Sequence, residues 1–140
     1  MQEHQRASPD RLLDAVVVGG GQAGLAIAWY LQRQGLRFVV LEAGSELGHT
    51  WRDRWDSLKL FTPAQYDGLP GMPFPAPADT YPTKDPVADY LQTYATAFDL
   101  PVRLSARVTS LTRTNDGFQI LCTGGCGPGR PWLVVSGRRS

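Results

Sequence analysis

Ala15-Val-Val-Val-Gly-Gly-Gly-Gln-Ala-Gly24, read together with Glu42, decides the fold of this 140-residue chain. Residues 15–18 are a short apolar run without charge, as expected of a strand buried on both faces of a parallel sheet. Gly19, Gly21 and Gly24 then spell G-x-G-x-x-G. Residues 22–34 read as a helix, with Ala23, Ile27, Tyr30, Leu31 and Gln34 recurring on one side and Gly35 as its stop. Phe38-Val-Val-Leu41 is a second buried strand, and Glu42 stands at its end. Strand, glycine loop, helix, strand and acid in this order predict a βαβ unit opening a Rossmann-like α/β domain with a parallel sheet.

Each residue of the loop has a task in that reading. Gly19 permits a turn that a β-carbon obstructs, Gly21 lets the backbone approach a pyrophosphate, and Gly24 lets the helix pack closely on the strand. The amides of Gly20, Gln22 and Ala23 belong to the same helix start, where free N–H groups and the helix dipole favour phosphate. Glu42 follows Gly24 by 18 residues, close to the roughly 20 at which an acid accepts hydrogen bonds from a ribose 2′-OH. Ala43 completes this part of the set. The carboxylate repels a 2′-phosphate, so the site suits FAD or NAD rather than NADP. An ordinary glycine-rich turn also writes G-x-G-x-x-G; here the flanking strands, the helix and the acid agree.

Composition narrows the remaining classes. Hydrophobic residues make up 42% and charged residues 19% of the chain, the balance of a soluble globular domain. A formal net charge of +1 gives no general case for nucleic acid or an anionic membrane. Arginine outnumbers lysine 12 to 2, which reads as compositional bias. No apolar stretch approaches the ~20 residues of a membrane span, and residues 1–10 lack the apolar centre of a signal peptide. Cys122 and Cys126 do not make a disulfide framework, so a reducing cytoplasm is the default setting. Their C-x3-C spacing and the two histidines, His4 and His49, form no metal site at zinc spacing, so no metal is expected.

Residues 1–11 read as a flexible tail, 12–123 as the binding domain and 124–140 as an irregular C-terminal tail. Seven of the eleven prolines fall between Pro63 and Pro86, a density that excludes helix and central strand. Leu60, Phe61, Tyr66, Leu69, Met72, Phe74 and Tyr81 are interleaved with them and argue for a packed loop rather than disorder. Asp85-Pro86 opens the next helix as N-cap and first helical residue. Its apolar face runs Val87, Tyr90, Leu91, Tyr94 and Phe98, and these aromatics read as core. Val102-Arg-Leu104 follows as a third strand. Residues 107–113 and 118–122 form a hairpin through Asn115-Asp-Gly117. The glycines of 124–129 lack a following helix and make no second nucleotide loop; a short strand at 133–135 ends the pattern.

The string Gly48-His-Thr-Trp-Arg-Asp-Arg-Trp-Asp-Ser-Leu-Lys-Leu-Phe-Thr-Pro63, with Tyr66-Asp-Gly-Leu-Pro-Gly-Met-Pro-Phe-Pro75 and Tyr81-Pro-Thr-Lys84, resembles the N-terminal part of flavin-containing monooxygenase-like FAD-dependent oxidoreductases. The resemblance covers residues 16–121. It implies that the nucleotide at Gly19, Gly21, Gly24 and Glu42 is FAD. It also implies that Thr50-Trp51-Arg52 approaches the flavin end and that the backbone at Val108 meets the adenine. His49 stands where the family writes a second glycine. In such enzymes NADPH reduces the flavin, which then activates dioxygen.

This chain carries one G-x-G-x-x-G, whereas that cycle needs a second for NADPH. The expectation is therefore an FAD-binding N-terminal portion without the NADPH-binding domain. The alternatives are a cofactor-binding subunit serving a separate NADPH-binding chain, or an inactive truncated product. Two accounts fit the ending: a divergent closing strand at 133–137, or out-of-frame sequence from about Gly124, and the second is favoured by the loss of pattern after Thr123. No catalytic side chain is assigned. Asp53, Asp56 and Asp67 with Arg52 and Arg54 read as a solvated or ion-paired loop, and His49 as steric or structural.

Overall fold

The computed structural model describes residues 12–52, 64, 67–127 and 129–135. The tail 1–11 and the loop residues Asp53, Arg54, Trp55, Asp56, Leu60, Phe61 and Tyr66 lie outside them. The first strand, β1 (Leu12–Leu13), is separated from β2 (Ala15–Val18) by Asp14 alone. The helix α1 (Gln22–Arg33), strand β3 (Phe38–Leu41), one-turn helix α2 (His49–Arg52) and helix α3 (Lys84–Ala97) follow. Then come β4 (Val102–Arg103), β5 (Ala106–Arg113), β6 (Gly117–Gly124) and β7 (Trp132–Val135).

Two sheets share the chain. β2, β3 and β4 form a parallel sheet in that order, with Ala15 opposite Phe38, Val18 opposite Leu41 and Val40 opposite Val102. β5, β6 and β7 form an antiparallel meander, and β1 lies parallel to β7 at its edge. The unbroken Phe-Val-Val-Leu of β3 is explained by its two faces. Phe38 and Val40 join the core beneath the helices with Leu25, Ala28, Val87 and Leu91. Val39 and Leu41 join the core beneath the meander with Ala106, Ile120 and Trp132. Successive strand residues point to opposite sides, and here both sides are covered.

Local expectations are met in most elements and corrected in three. α1 lies where the periodicity puts it, but it buries Leu25 and Ala28 while Ile27 and Tyr30 are more than half exposed. Of the expected side only Leu31 packs against the core, together with Leu25, Ala28 and half-buried Trp29. α3 begins at Lys84 with Thr83 as N-cap, not at Asp85; Pro86 sits inside the first turn, where its missing N–H is not needed. The short strand expected at 133–135 is present as Trp132–Val135 and pairs with residues 117–120 of β6. Trp132 is buried there and Arg103 stacks over its ring at 5.3 Å. Finally, Cys122 and Cys126 are joined in a disulfide, Cα to Cα 6.3 Å, where two cysteines in a reducing setting were not expected to make a disulfide framework. Gly124, at φ +87°, turns the chain back so that Cys126 returns to the end of its own strand.

The proline-rich loop is fastened from beneath by α3. The Tyr90 hydroxyl accepts from the Leu69 amide at 2.7 Å and donates to the Met72 carbonyl at 2.5 Å. The Tyr94 hydroxyl donates to the Pro70 carbonyl at 2.6 Å. These tyrosines give the backbone of an irregular segment the partners that a ladder supplies elsewhere. Burial pushes the Tyr94 phenol from the ordinary 10.0 up to about 12. Its neutral form is the folded one, so its contribution is complete below pH 10 and is lost as pH rises towards 12. Urea unfolding across this window should show falling stability. Tyr94→Phe should cost about 1 kcal/mol at neutral pH and weaken the alkaline loss.

Candidate nucleotide-binding site

The loop between β2 and α1 is held by its own backbone and by the acid. The Gly19 N–H donates to the Leu41 carbonyl at 2.8 Å, and Gly19 lies at φ +100°, where a β-carbon is strained. A β-carbon on Gly24 would stand 2.1 Å from the Gly19 carbonyl oxygen, so this glycine sets the contact between helix and strand. A β-carbon on Gly20 would meet the Leu47 side chain at 2.5 Å. Gly21 differs from these. It is the N-cap of α1 in an extended conformation that any residue adopts, and a β-carbon there would meet nothing within 4 Å. The first turn of α1 carries no acidic residue, so nothing on the helix opposes its dipole.

Glu42 is fixed through both carboxylate oxygens. Oε1 accepts from the Gly20 N–H at 2.6 Å and Oε2 from the Gly44 N–H at 2.7 Å. A carboxylate has about four acceptor positions, so each oxygen keeps capacity for a further donor. The Glu42 backbone donates to the Arg103 carbonyl at 2.9 Å and accepts from the Ala106 N–H at 2.8 Å, which brings the start of β5 beside the acid. A cleft of about 190 Å³ results, lined by Val18, Gly19, Leu41, Glu42, Ala43, Ala106, Arg107 and Val108. It is smaller than the ~300 Å³ at which whole-ligand pockets begin and fits one part of a dinucleotide.

Of the residues expected at the cofactor, Gly19, Glu42, Ala43 and Val108 line this cleft, and Gly20 is bonded to its acid. Gly21, Gln22, Ala23 and Gly24 form the adjoining helix start. Sequence reasoning missed Gly44, whose amide secures the second oxygen of Glu42, and Ala106 and Arg107, which lie directly before Val108. Their only sequence signal is adjacency to residues already named.

Thr50, Trp51 and Arg52 belong to α2, which reaches the acid through Gly44; a β-carbon on Gly44 would stand 3.2 Å from that of His49. Thr50 is exposed, and Trp51 packs half-buried against the helix-side core. The Arg52 guanidinium is paired with Asp89, with Asp85 at 3.2 Å and with Glu46 at 3.6 Å, while Lys84 Nζ donates to the Arg52 carbonyl at 3.0 Å. The hydrogen bond to Asp89 raises the arginine above its ordinary value despite partial desolvation. This arginine fastens α2 to α3. Asp67 is buried in the loop. Among the described residues, no three histidine, cysteine, aspartate or glutamate side chains group as for a metal.

This arrangement of parallel strands, glycine loop and terminal acid is that of a dinucleotide-binding domain. Residues 16–126 match the model of the pyridine nucleotide-disulphide oxidoreductase family, and the chain belongs to that family. It is 40% identical over 114 residues to an uncharacterized CzcO-like oxidoreductase of Geobacillus kaustophilus, covering 81% of this chain and 33% of that protein. It is 44% identical over 96 residues to the probable indole-3-pyruvate monooxygenase YUCCA7 of Arabidopsis thaliana, covering 68% and 22%. The solved flavin-containing monooxygenase of Stenotrophomonas maltophilia shares 35% identity at a TM-score of 0.77, over 88% of this chain and 36% of that one. The likeness to flavin monooxygenases read from the 48–84 segment is therefore met. The chain spans about a third or less of these proteins' lengths.

Proposed function

We propose that this chain is the FAD-binding N-terminal portion of an NAD(P)H- and FAD-dependent oxidoreductase of the flavin-containing monooxygenase type, holding the ADP half of FAD. The observation that carries this reading is Gly21, a helix N-cap with no neighbour within 4 Å of its absent side chain. Its backbone conformation does not call for glycine, whereas a pyrophosphate lying against the helix start does. In this assignment the amides at residues 21–24 face the phosphates. Glu42, oriented by Gly20 and Gly44, accepts from the ribose hydroxyls. Ala43 and Val108 border the adenine, and Thr50-Trp51-Arg52 lies towards the flavin end. FAD supplies two-electron redox chemistry at its ring system, while the protein binds and orients it.

Glu42→Ala tests the sugar contact. Loss of hydrogen bonds to a charged acceptor removes about 1.5–3 kcal/mol, so flavin titration should report affinity weakened at least about tenfold. Circular dichroism should report an unchanged fold. Equal affinity of the variant and the parent contradicts the assignment.

One observation favours further polypeptide beside this portion. β2 pairs only with β3 among the described residues. Next to it lies an opening of about 300 Å³ lined by Val16, Val18, Leu111, Phe118, Ile120 and Val134. Val18 is 64% and Leu111 66% exposed there. An uncharged Ala-Val-Val-Val edge is an invitation to a further strand. We assign this edge to the NADPH-binding portion, on the same or a separate chain. An added NADPH-binding portion should slow hydrogen exchange at residues 16–18; unchanged exchange contradicts the assignment. A cytoplasmic setting belongs to the same proposal, and no helix among the described residues is long and apolar enough to cross a membrane.

A further inference from the structure

We propose that the Cys122–Cys126 disulfide is a redox-sensitive clasp that stiffens the acid arm of the nucleotide cleft. The effect on cofactor affinity rests on the FAD reading above; the clasp itself rests on a continuous path of backbone bonds. The disulfide closes the turn after β6. Within that turn the Gly125 N–H donates to the Ser105 carbonyl at 2.6 Å. The Ser105 N–H donates to the Gly44 carbonyl at 2.8 Å, and the Gly44 N–H holds Oε2 of Glu42 at 2.7 Å.

Ser105 is a non-glycine residue at φ +53°, a conformation that persists only where neighbours hold it. β-carbons on Gly124 and Gly125 would stand 2.2 Å from the Ser105 carbonyl oxygen and 2.0 Å from that of Leu104. The turn therefore presses directly on the segment that carries Ala106, Arg107 and Val108 into the cleft. A second connection runs through the hairpin, where Cys122 is the register partner of Val108.

Cys122 is half-buried and open to attack, while Cys126 is buried, with its sulfur 3.2 Å from the Thr123 carbonyl. A thiolate of a dithiol reductant attacks Cys122 Sγ, the disulfide bond breaks, and Cys126 leaves as thiolate and takes a proton. The released thiol donates to the Thr123 carbonyl. The second thiol of the reductant resolves the mixed disulfide and frees Cys122, so two electrons and two protons enter the chain and the dithiol leaves as a disulfide. Intracellular disulfides of mesophiles are characteristically transient and redox-sensing.

The test compares the chain after incubation with oxidised and with reduced dithiothreitol. Thiols are trapped with N-ethylmaleimide in denaturant and counted by mass spectrometry, FAD affinity is titrated, and amide exchange is followed at Gly44, Ser105 and Gly125. We expect no free thiols in the oxidised chain and two in the reduced chain. Reduction should weaken FAD about fivefold to tenfold and speed exchange at all three amides. By reciprocity, bound FAD should favour the disulfide by the same factor, about 30 mV for a tenfold effect. Cys122→Ser and Cys126→Ser should each match the reduced chain and ignore the reagent. Free thiols that persist under oxidation overturn the clasp, as does equal exchange in both states. If FAD binds neither state, the cofactor reading fails, and the exchange rates still decide the clasp.

Discussion

Gly21→Val should reduce FAD affinity by about a hundredfold or more while leaving the chain folded. The space beside Gly21 is empty of protein, with nothing within 4 Å of the position a β-carbon would take. A branched side chain therefore meets only the ligand, and displacing a pyrophosphate by such a group carries the ~1–3 kcal/mol or more typical of forced contacts. Valine is a poor N-cap, so stability should fall by about 1 kcal/mol. Gly21→Ser separates the two effects, because serine is a favoured cap and should keep the melting temperature within about 2 °C of the parent. Flavin titration and thermal unfolding of the pair check this. Parental FAD affinity in both variants places the phosphates elsewhere.

Gly24→Val should act in the opposite sense, through stability. The new β-carbon would stand 2.1 Å from the Gly19 carbonyl oxygen and 3.3 Å from Val17 Cγ1. The obstacle is the backbone of Gly19, which is itself hydrogen-bonded to Leu41 of β3, so α1 must lift away from the sheet and uncover Leu25 and Ala28. We expect a loss of about 3 kcal/mol or more, a large share of the roughly 5–15 kcal/mol that a domain possesses. The urea midpoint should fall accordingly, and binding should fail with the fold. Two glycines of one motif thus answer to different measurements, a distinction that the motif's letters do not carry.

What was legible in the sequence followed from periodicity and side-chain chemistry. Ala15 to Val18, Phe38 to Leu41 and the acid after them specify the βαβ unit because a doubly covered strand needs an unbroken apolar run. Asn115-Asp-Gly117 specifies the hairpin because few residues tolerate its turn. What was not legible depends on tertiary contacts. Ile27 and Leu25 are alike in hydrophobicity, and only the packing of α1 on β3 decides which is buried. Gly44 looks like any loop glycine until its amide is found on Glu42. The pairing of Cys122 with Cys126 was not legible because nothing in their spacing announces that Gly124 reverses the chain between them. The strand at Trp132–Val135 was legible as a short apolar run at 133–135, but its pairing with β6 was not.

The central claim is that bare amides and one oriented carboxylate hold the ADP half of FAD. Titration of the purified chain with FAD, followed by flavin absorbance and fluorescence, tests it most directly, with ADP and FMN as competitors. We predict saturable binding at one site per chain, competed by ADP, which shares the diphosphate and ribose, and not by FMN, which lacks the adenosine half. No measurable affinity for FAD, or displacement by FMN as effective as by ADP, would contradict the account.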